Sequence, residues 1–220
     1  MPDHRTRFLR LALQAEALGF GEFTLKSGRS SPYFFNAGRF DSGAALAGLA
    51  GCYADAIDAA GLDFDLLFGP AYKGIPLATA LACESARRGR DLPLAFNRKE
   101  AKAHGEGGSL IGAPLAGRRV LIVDDVITAG TAIREALAII QGGGGTPAGI
   151  VIALDRQEIA GEGLSQSAAQ AVAAETGIPV IAVATLDDLL AFADASASLA
   201  DERSRLQAYR VQYGVGDIHR

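Results

Sequence analysis

Val120-Leu121-Ile122-Val123-Asp124-Asp125-Val126-Ile127-Thr128-Ala129-Gly130-Thr131-Ala132 is the stretch that decides the fold of this chain. Its four leading apolar residues suit a strand covered on both faces, as in a parallel sheet between helical layers. Two adjacent carboxylates follow at the strand's C-terminal end, which is where open α/β sheets bind ligands. A Thr/Gly/Thr turn comes next, and then Ile133, Leu137 and Ile140 mark one face of a helix. Gly130 lets the backbone approach a ligand closely. The amides and hydroxyls of Thr128 to Ala132 meet at a helix N-terminus, where exposed N–H groups and the helix dipole favour a phosphate. The stretch is neither a Walker loop nor the glycine fingerprint of dinucleotide binding. A lone Asp here would read as an ordinary strand-to-helix turn. Two acids and Thr-Ala-Gly-Thr after a branched apolar run point to a ligand site.

Outward from this stretch, short β-rich segments alternate with helical ones. Strands are expected at residues 64–69, 93–97, 119–124, 149–155 and 179–185, with helices at about 42–60, 74–90, 131–141 and 163–176. This alternation argues for an α/β fold with right-handed crossovers. The first forty residues differ. A helix over about 5–18 is expected to end at Gly19, followed by a small strand pair, 23–26 and 33–36, added to the main sheet across the turn Ser27-Gly28-Arg29-Ser30-Ser31. Two short helices, near 187–193 and 201–212, close the chain. Residues 100–114 carry glycines and charges without an apolar period, and a loop of that length is usually functional or mobile. The glycine run at 142–145 reads as a flexible helix-to-strand connection.

Composition bounds the function. With 220 residues, 49% of them hydrophobic and 21% charged, the chain can build one large domain around a substantial core. A formal net charge of −4 provides no field for nucleic acid or an anionic membrane surface. No run approaches the roughly 18 apolar residues of a membrane span. The amphipathic start, with Arg10 and Gln14 inside its apolar run, is unlike a signal peptide. Two cysteines, Cys52 and Cys83, lie in apolar helical surroundings without a CxxC pattern, which fits a reducing, cytoplasmic setting.

The strand, acidic pair and Thr-rich loop resemble the signature of the type I phosphoribosyltransferases. Four further segments, together spanning roughly residues 23 to 158, resemble the orotate phosphoribosyltransferases among them. These are Lys26 to Asn36, Gly69-Pro-Ala-Tyr72-Lys73-Gly-Ile-Pro, Asn97-Arg98-Lys99-Glu100-Ala-Lys102-Ala-His104-Gly105-Glu106, and Leu154-Asp155-Arg156-Gln157-Glu158. The resemblance implies a type I phosphoribosyltransferase fold: a central, mostly parallel sheet flanked by helices, with a small N-terminal hood. It implies a single domain over 1–220, comprising helix and hood (about 1–40), a core (about 60–185) binding phosphoribosyl pyrophosphate (PRPP), and C-terminal helices (186–220).

The resemblance also implies roles. The loop Asp124, Asp125, Val126, Ile127, Thr128, Ala129, Gly130, Thr131 and Ala132 would hold the 5-phosphate and ribose of PRPP. Lys26, Tyr72, Lys73, Arg98, Lys99, Lys102 and His104 would bind PRPP around its pyrophosphate, with Lys102, Lys73 and Asp125 catalytic. Phe34, Phe35, Thr128 and Arg156 would border orotate, with the Arg156 guanidinium matching its carboxylate bidentately. Mg²⁺ would be carried mainly by PRPP near Asp124 and Asp125 and not by a dedicated protein cage. Lys99 and the loop after it would serve the neighbouring active site of a homodimer.

Each feature also has a plainer reading. Lys26 and Lys73 could be surface lysines, residues 98–104 a solvated charge run, Phe34 and Phe35 core aromatics, and Arg156 a salt-bridge partner of Asp155 or Glu158. Two functional alternatives follow: a purine phosphoribosyltransferase, which leaves the Lys26 to Asn36 and Arg156 segments unexplained, and a PRPP-binding regulator without catalysis, for which the cationic loop has no use.

Overall fold

The computed structural model describes residues 3–25, 28–99, 110–161 and 165–216. After α1 (His4–Gln14), two strands, β1 (Leu18–Thr24) and β2 (Ser30–Phe35), pair antiparallel. The core then runs α2 (Gly43–Ala60), β3 (Leu66–Gly69), α3 (Gly74–Arg87), β4 (Leu94–Asn97), β5 (Leu110–Gly112), β6 (Arg119–Asp124), α4 (Thr131–Gly142), β7 (Thr146–Asp155), α5 (Ala168–Thr176) and β8 (Val180–Thr185). Helices α6 (Leu186–Asp194) and α7 (Ala200–Tyr213) complete the described chain.

The main sheet has the order β5-β4-β3-β6-β7-β8, parallel throughout except for β5 at one edge. Its central strand shows why Val120 to Val123 had to be continuously apolar. Leu121 and Val123 point into the layer built by α1, α2, α3, α6 and α7, whereas Val120 and Ile122 pack with Ile133, Ile140 and Val172 from α4 and α5. All four are fully buried, so neither face tolerates a polar residue. Helix ends follow local chemistry. Ser42 caps α2, Gly61 ends it in the left-handed region, and Ser167 and Thr185 form reciprocal capping boxes on α5 and α6.

Several expectations are corrected. The first helix stops at Gln14 and not near residue 18: Glu16 takes a positive φ of 52°, and Leu18 to Phe20 already belong to β1. The hood is a separate two-stranded sheet and is not added to the main one. Its register places Gly19 opposite Phe34, whose ring would lie 2.3 Å from a Cβ at that position, so the glycine makes room for the aromatic. Residues 110–112, read as part of a long loop, form the antiparallel edge strand β5. The glycine run at 142–145 ends α4 in a hydrogen-bonded turn and not a flexible connection: Gly143, Gly144 and Gly145 donate to Ile139, Gln141 and Ile140, and Gly117 donates to Gly144. A Cβ on Gly145 would sit 3.0 Å from the Leu115 carbonyl oxygen, so the run serves close packing. No helix among the described residues is long and apolar enough to cross a membrane.

Candidate active site

The strand order turns around between β3 and β6: β4 follows β3 on one side, and β6 lies on the other. A crevice at the C-terminal ends of such strands is where doubly wound sheets place ligands. Lys73 follows β3 and Asp125 follows β6, and they meet across this point, with Lys73 Nζ 2.8 Å from Asp125 Oδ2. The lysine side chain is 55% exposed and the aspartate 9%. A ligand can therefore reach the cation while the acid stays held in the protein wall.

The turn carrying Lys73 is packed against the strands below it. A Cβ on Gly74 would meet both Pro70 Cδ and the Val123 carbonyl oxygen at 2.6 Å, so a side chain there would push α3 off β6. The Ala71 amide donates to Asn97 Oδ1 at 2.9 Å, tying the turn to β4. The Ala71–Tyr72 peptide is cis. Tyr72 is 67% exposed, and Lys99, just beyond β4, places its Nζ 5.1 Å from that ring's centroid within the same chain. Arg98 follows Asn97 directly, so Tyr72, Lys73, Arg98 and Lys99 share one rim of the crevice.

The acidic pair is fixed by its own backbone. Asp124 Oδ1 accepts from the Asp125 amide at 3.0 Å, and Asp125 Oδ1 accepts from the Val126 amide at 2.9 Å. Beneath them the buried Tyr53 hydroxyl donates to the Asp124 carbonyl oxygen at 2.8 Å. Burial, followed by the negative charge of Asp125, raises the Asp124 carboxyl to about 7. No group of three or more His, Cys, Asp or Glu able to hold a metal occurs among the described residues. Two carboxylates at a crevice do fit Mg²⁺ that brings most of its coordination as waters and substrate phosphate oxygens.

Beyond the acids, Val126 and Ile127 are half-buried, Thr128 and Ala129 are exposed, and Gly130 stands at the N-cap of α4 with φ 73°. Arg134 clasps this loop: its Nη1 donates to the Ala129 carbonyl at 2.8 Å, and its Nε bonds Glu175 of α5 at 2.9 Å. A Cβ on Gly130 would lie 2.9 Å from Val172 Cγ2. No side chain caps α4, so the amides at exposed Thr131 and Ala132 open the helix toward the crevice, an arrangement suited to an anion.

Arg156 leaves the end of β7, the strand beside β6. Its Nε and Nη2 bond the same Glu158 oxygen at 2.7 and 2.6 Å, its Nη2 donates to Ser31 Oγ at 3.2 Å, and its guanidinium carbon lies 4.4 Å from the Tyr33 ring centroid. The hood thus touches the core at the C-terminal end of β7. Phe34 packs edge-on against Phe23 at 4.7 Å, and Phe35 packs on Phe8 and Phe40 at 5.9 and 6.4 Å. Tyr33, directly before them in sequence, is the ring that supports Arg156. Sequence reading passed over Ser31, Tyr33 and Arg134. For the first two a signal existed, since alternation along β2 puts residues 31 and 33 on one buried face. Lys26, Lys102 and His104 lie outside the described residues.

The chain is similar to known proteins over nearly its whole length. Residues 40–165 match the phosphoribosyl transferase domain family. The chain is 79% identical over 215 residues to the orotate phosphoribosyltransferase of Xanthomonas euvesicatoria pv. vesicatoria, covering 98% of each. It is 72% identical over 218 residues to that of Stenotrophomonas maltophilia, covering 99% of this chain and all of the other. A crystal structure of orotate phosphoribosyltransferase from Francisella tularensis superposes with a TM-score of 0.85 at 41% identity, covering 94% of this chain and 98% of the other. The Mycobacterium tuberculosis enzyme in complex with PRPP superposes with a TM-score of 0.62 at 26% identity, covering 84% and 98%. Taken with a crevice that pairs an acidic strand end, an open helix N-terminus and a neighbouring arginine, these likenesses establish that the chain belongs to the orotate phosphoribosyltransferases.

Proposed function

We propose that the chain joins the ring nitrogen of orotate to the anomeric carbon of PRPP, giving orotidine 5′-monophosphate and pyrophosphate in pyrimidine biosynthesis. The observation that carries this reading is the convergence of Lys73, the acidic pair, the 128–132 loop and Arg156 on one sheet edge. One bond forms from the orotate nitrogen and one breaks to the leaving pyrophosphate, so the protein needs no covalent nucleophile. It acts by positioning and by stabilising charge. The loop Val126 to Ala132 takes the 5-phosphate. Asp124 and Asp125 fix the ribose and favour positive charge developing on it. Lys73, together with Lys26, Tyr72, Arg98, Lys99, Lys102 and His104, offsets charge gathering on the pyrophosphate.

Arg156 and Thr128 meet the edge of the pyrimidine, with Phe34 and Phe35 bordering it through ring and backbone. Mg²⁺, when bound with PRPP near Asp124 and Asp125, supplies charge neutralisation on the pyrophosphate. The working unit is a homodimer in which Lys99 and the loop after it reach the neighbouring site. A reducing cytoplasm suits Cys52 and Cys83, which are unpaired.

The test follows orotate absorbance in a mixture of purified protein, PRPP and Mg²⁺, with a chelated control. Loss of signal that EDTA abolishes is expected. Turnover of a purine base in place of orotate would overturn the base assignment, and PRPP binding without turnover of any base would make the protein a sensor.

A further inference from the structure

We infer that Glu158 is a positioning residue for the base site: it holds the Arg156 guanidinium in the plane and orientation in which its remaining outer nitrogen, Nη1, can meet a carboxylate. The inference rests on the reading of Arg156 as the group that grips orotate. Arginine has a long side chain whose freedom must be removed before its fork can select a planar ligand. Here that freedom is removed from several sides. One Glu158 oxygen takes both Nε, at 2.7 Å, and Nη2, at 2.6 Å. Ser31 Oγ takes Nη2 at 3.2 Å, and the Tyr33 ring lies under the guanidinium carbon at 4.4 Å. Glu158 and Ser31 take Nε and both hydrogens of Nη2, so among the described residues Nη1 is the nitrogen of the fork without a hydrogen-bond partner.

Glu158 is in turn immobilised by parts of the fold distant from PRPP. Its side chain is 13% exposed, and the buried Tyr33 hydroxyl points to the same carboxylate oxygen at 3.5 Å. Its backbone bridges Gly214 beyond α7, flanked by Ile159 N–H to the Tyr213 carbonyl and Val215 N–H to the Gln157 carbonyl, both 2.9 Å. Gln157 grips Asp187 at the start of α6 through both ends of its amide, at 2.9 and 2.8 Å. The segment after β7 is thus clamped to the C-terminal helices, and the carboxylate that orients Arg156 is anchored there and not in the PRPP loops. A nearly buried guanidinium also needs its counter-charge when no ligand is bound, and Glu158 supplies it.

The experiment is a double-mutant cycle on the full chain, with KM for orotate, KM for PRPP and kcat measured separately. Glu158→Ala should raise the orotate KM by about tenfold or more, the scale of one or two hydrogen bonds to a charged group, with kcat and the PRPP KM within about twofold of the parent. Arg156→Ala should raise the orotate KM at least as far, and the double variant should match Arg156→Ala within about twofold, because Glu158 acts through the arginine. Multiplicative losses in the double variant, an orotate KM unmoved by Glu158→Ala, or equal losses for both substrates would overturn the inference. An orotate KM unmoved by Arg156→Ala would instead overturn the base-site reading beneath it. Should Glu158→Ala not fold, Glu158→Asp takes its place in the same cycle with the same expectation, since it keeps the charge but withdraws it by one methylene.

Discussion

Lys73 Nζ lies 2.8 Å from Asp125 Oδ2, so a lysine after β3 and an acid after β6 neutralise each other across the point where the sheet's strand order turns. Both are assigned to the same substrate, one to its pyrophosphate and the other to its ribose. On the proposed assignment, PRPP entering the crevice would exchange partners with an existing ion pair and would not meet two bare charges. Half-exposed Lys73 can swing to a new anion, while Asp125, held by the Val126 amide, stays in place.

Lys73→Ala should lower kcat by about a hundredfold or more, the scale of losing one group aimed at developing charge. Stability should change little, because an ion pair with one exposed partner contributes only about 0–1 kcal/mol. Steady-state kinetics beside a thermal melt separate the two. An unchanged kcat would remove Lys73 from the catalytic set.

The acid Asp124 gives a pH signature. Its carboxyl stands at about 7 in the fold against an ordinary 3.8, so between these values the folded protein keeps a proton that the unfolded chain has released. This contribution to stability is complete below about pH 4 and is lost as pH rises to about 7. Asp124→Asn, which resembles the protonated acid, should flatten the decline and be more stable than the parent at pH 8 by up to about 4 kcal/mol while losing activity. Urea unfolding at pH 5, 6.5 and 8 reads this directly; parallel declines in both proteins would refute it.

Gly74 and Gly130 should respond differently to alanine. At Gly74 the new Cβ meets Pro70 and the Val123 carbonyl oxygen at 2.6 Å, and backbone cannot move aside cheaply, so a loss of about 3 kcal/mol or failure to fold is expected. At Gly130 the neighbours are side-chain ends, Val172 and Arg134, but φ is 73°. The expected loss there is about 1–2 kcal/mol, with a folded protein that binds PRPP more weakly. Melting curves and PRPP titration of both variants check the order, and equal melting losses would contradict it.

Lys99 sits beside Tyr72 of its own chain, yet it is proposed to serve the neighbouring site. Mixing Lys99→Ala with Asp125→Asn subunits, each inactive alone, should restore activity up to about a quarter of the parent's if one site per mixed dimer is intact. Confirmed mixed dimers without activity would place Lys99 in its own subunit's site.

What the sequence determined by itself was everything carried by contiguous residues. The run Val120 to Val123 had to be covered on both faces, and the acids and Thr-Ala-Gly-Thr turn after it had to lie at a strand end and a helix start. Those are local properties of spacing and polarity, and the structure has them where expected. Three-residue β5 was not legible, because a strand so short has no period to read and is defined only by its pairing with β4. The hood's separation from the main sheet was likewise invisible, since pairing partners are chosen by packing against α1 and not by the strands' own composition. The site divides in the same way. Motifs named Lys73, Asp125 and Arg156 individually, but only the folded chain brings Lys73 to Asp125 across 52 positions and Arg156 to Ser31 across 125. A charge's partner is settled by distance in space, which sequence spacing within one element controls and sequence spacing between elements does not.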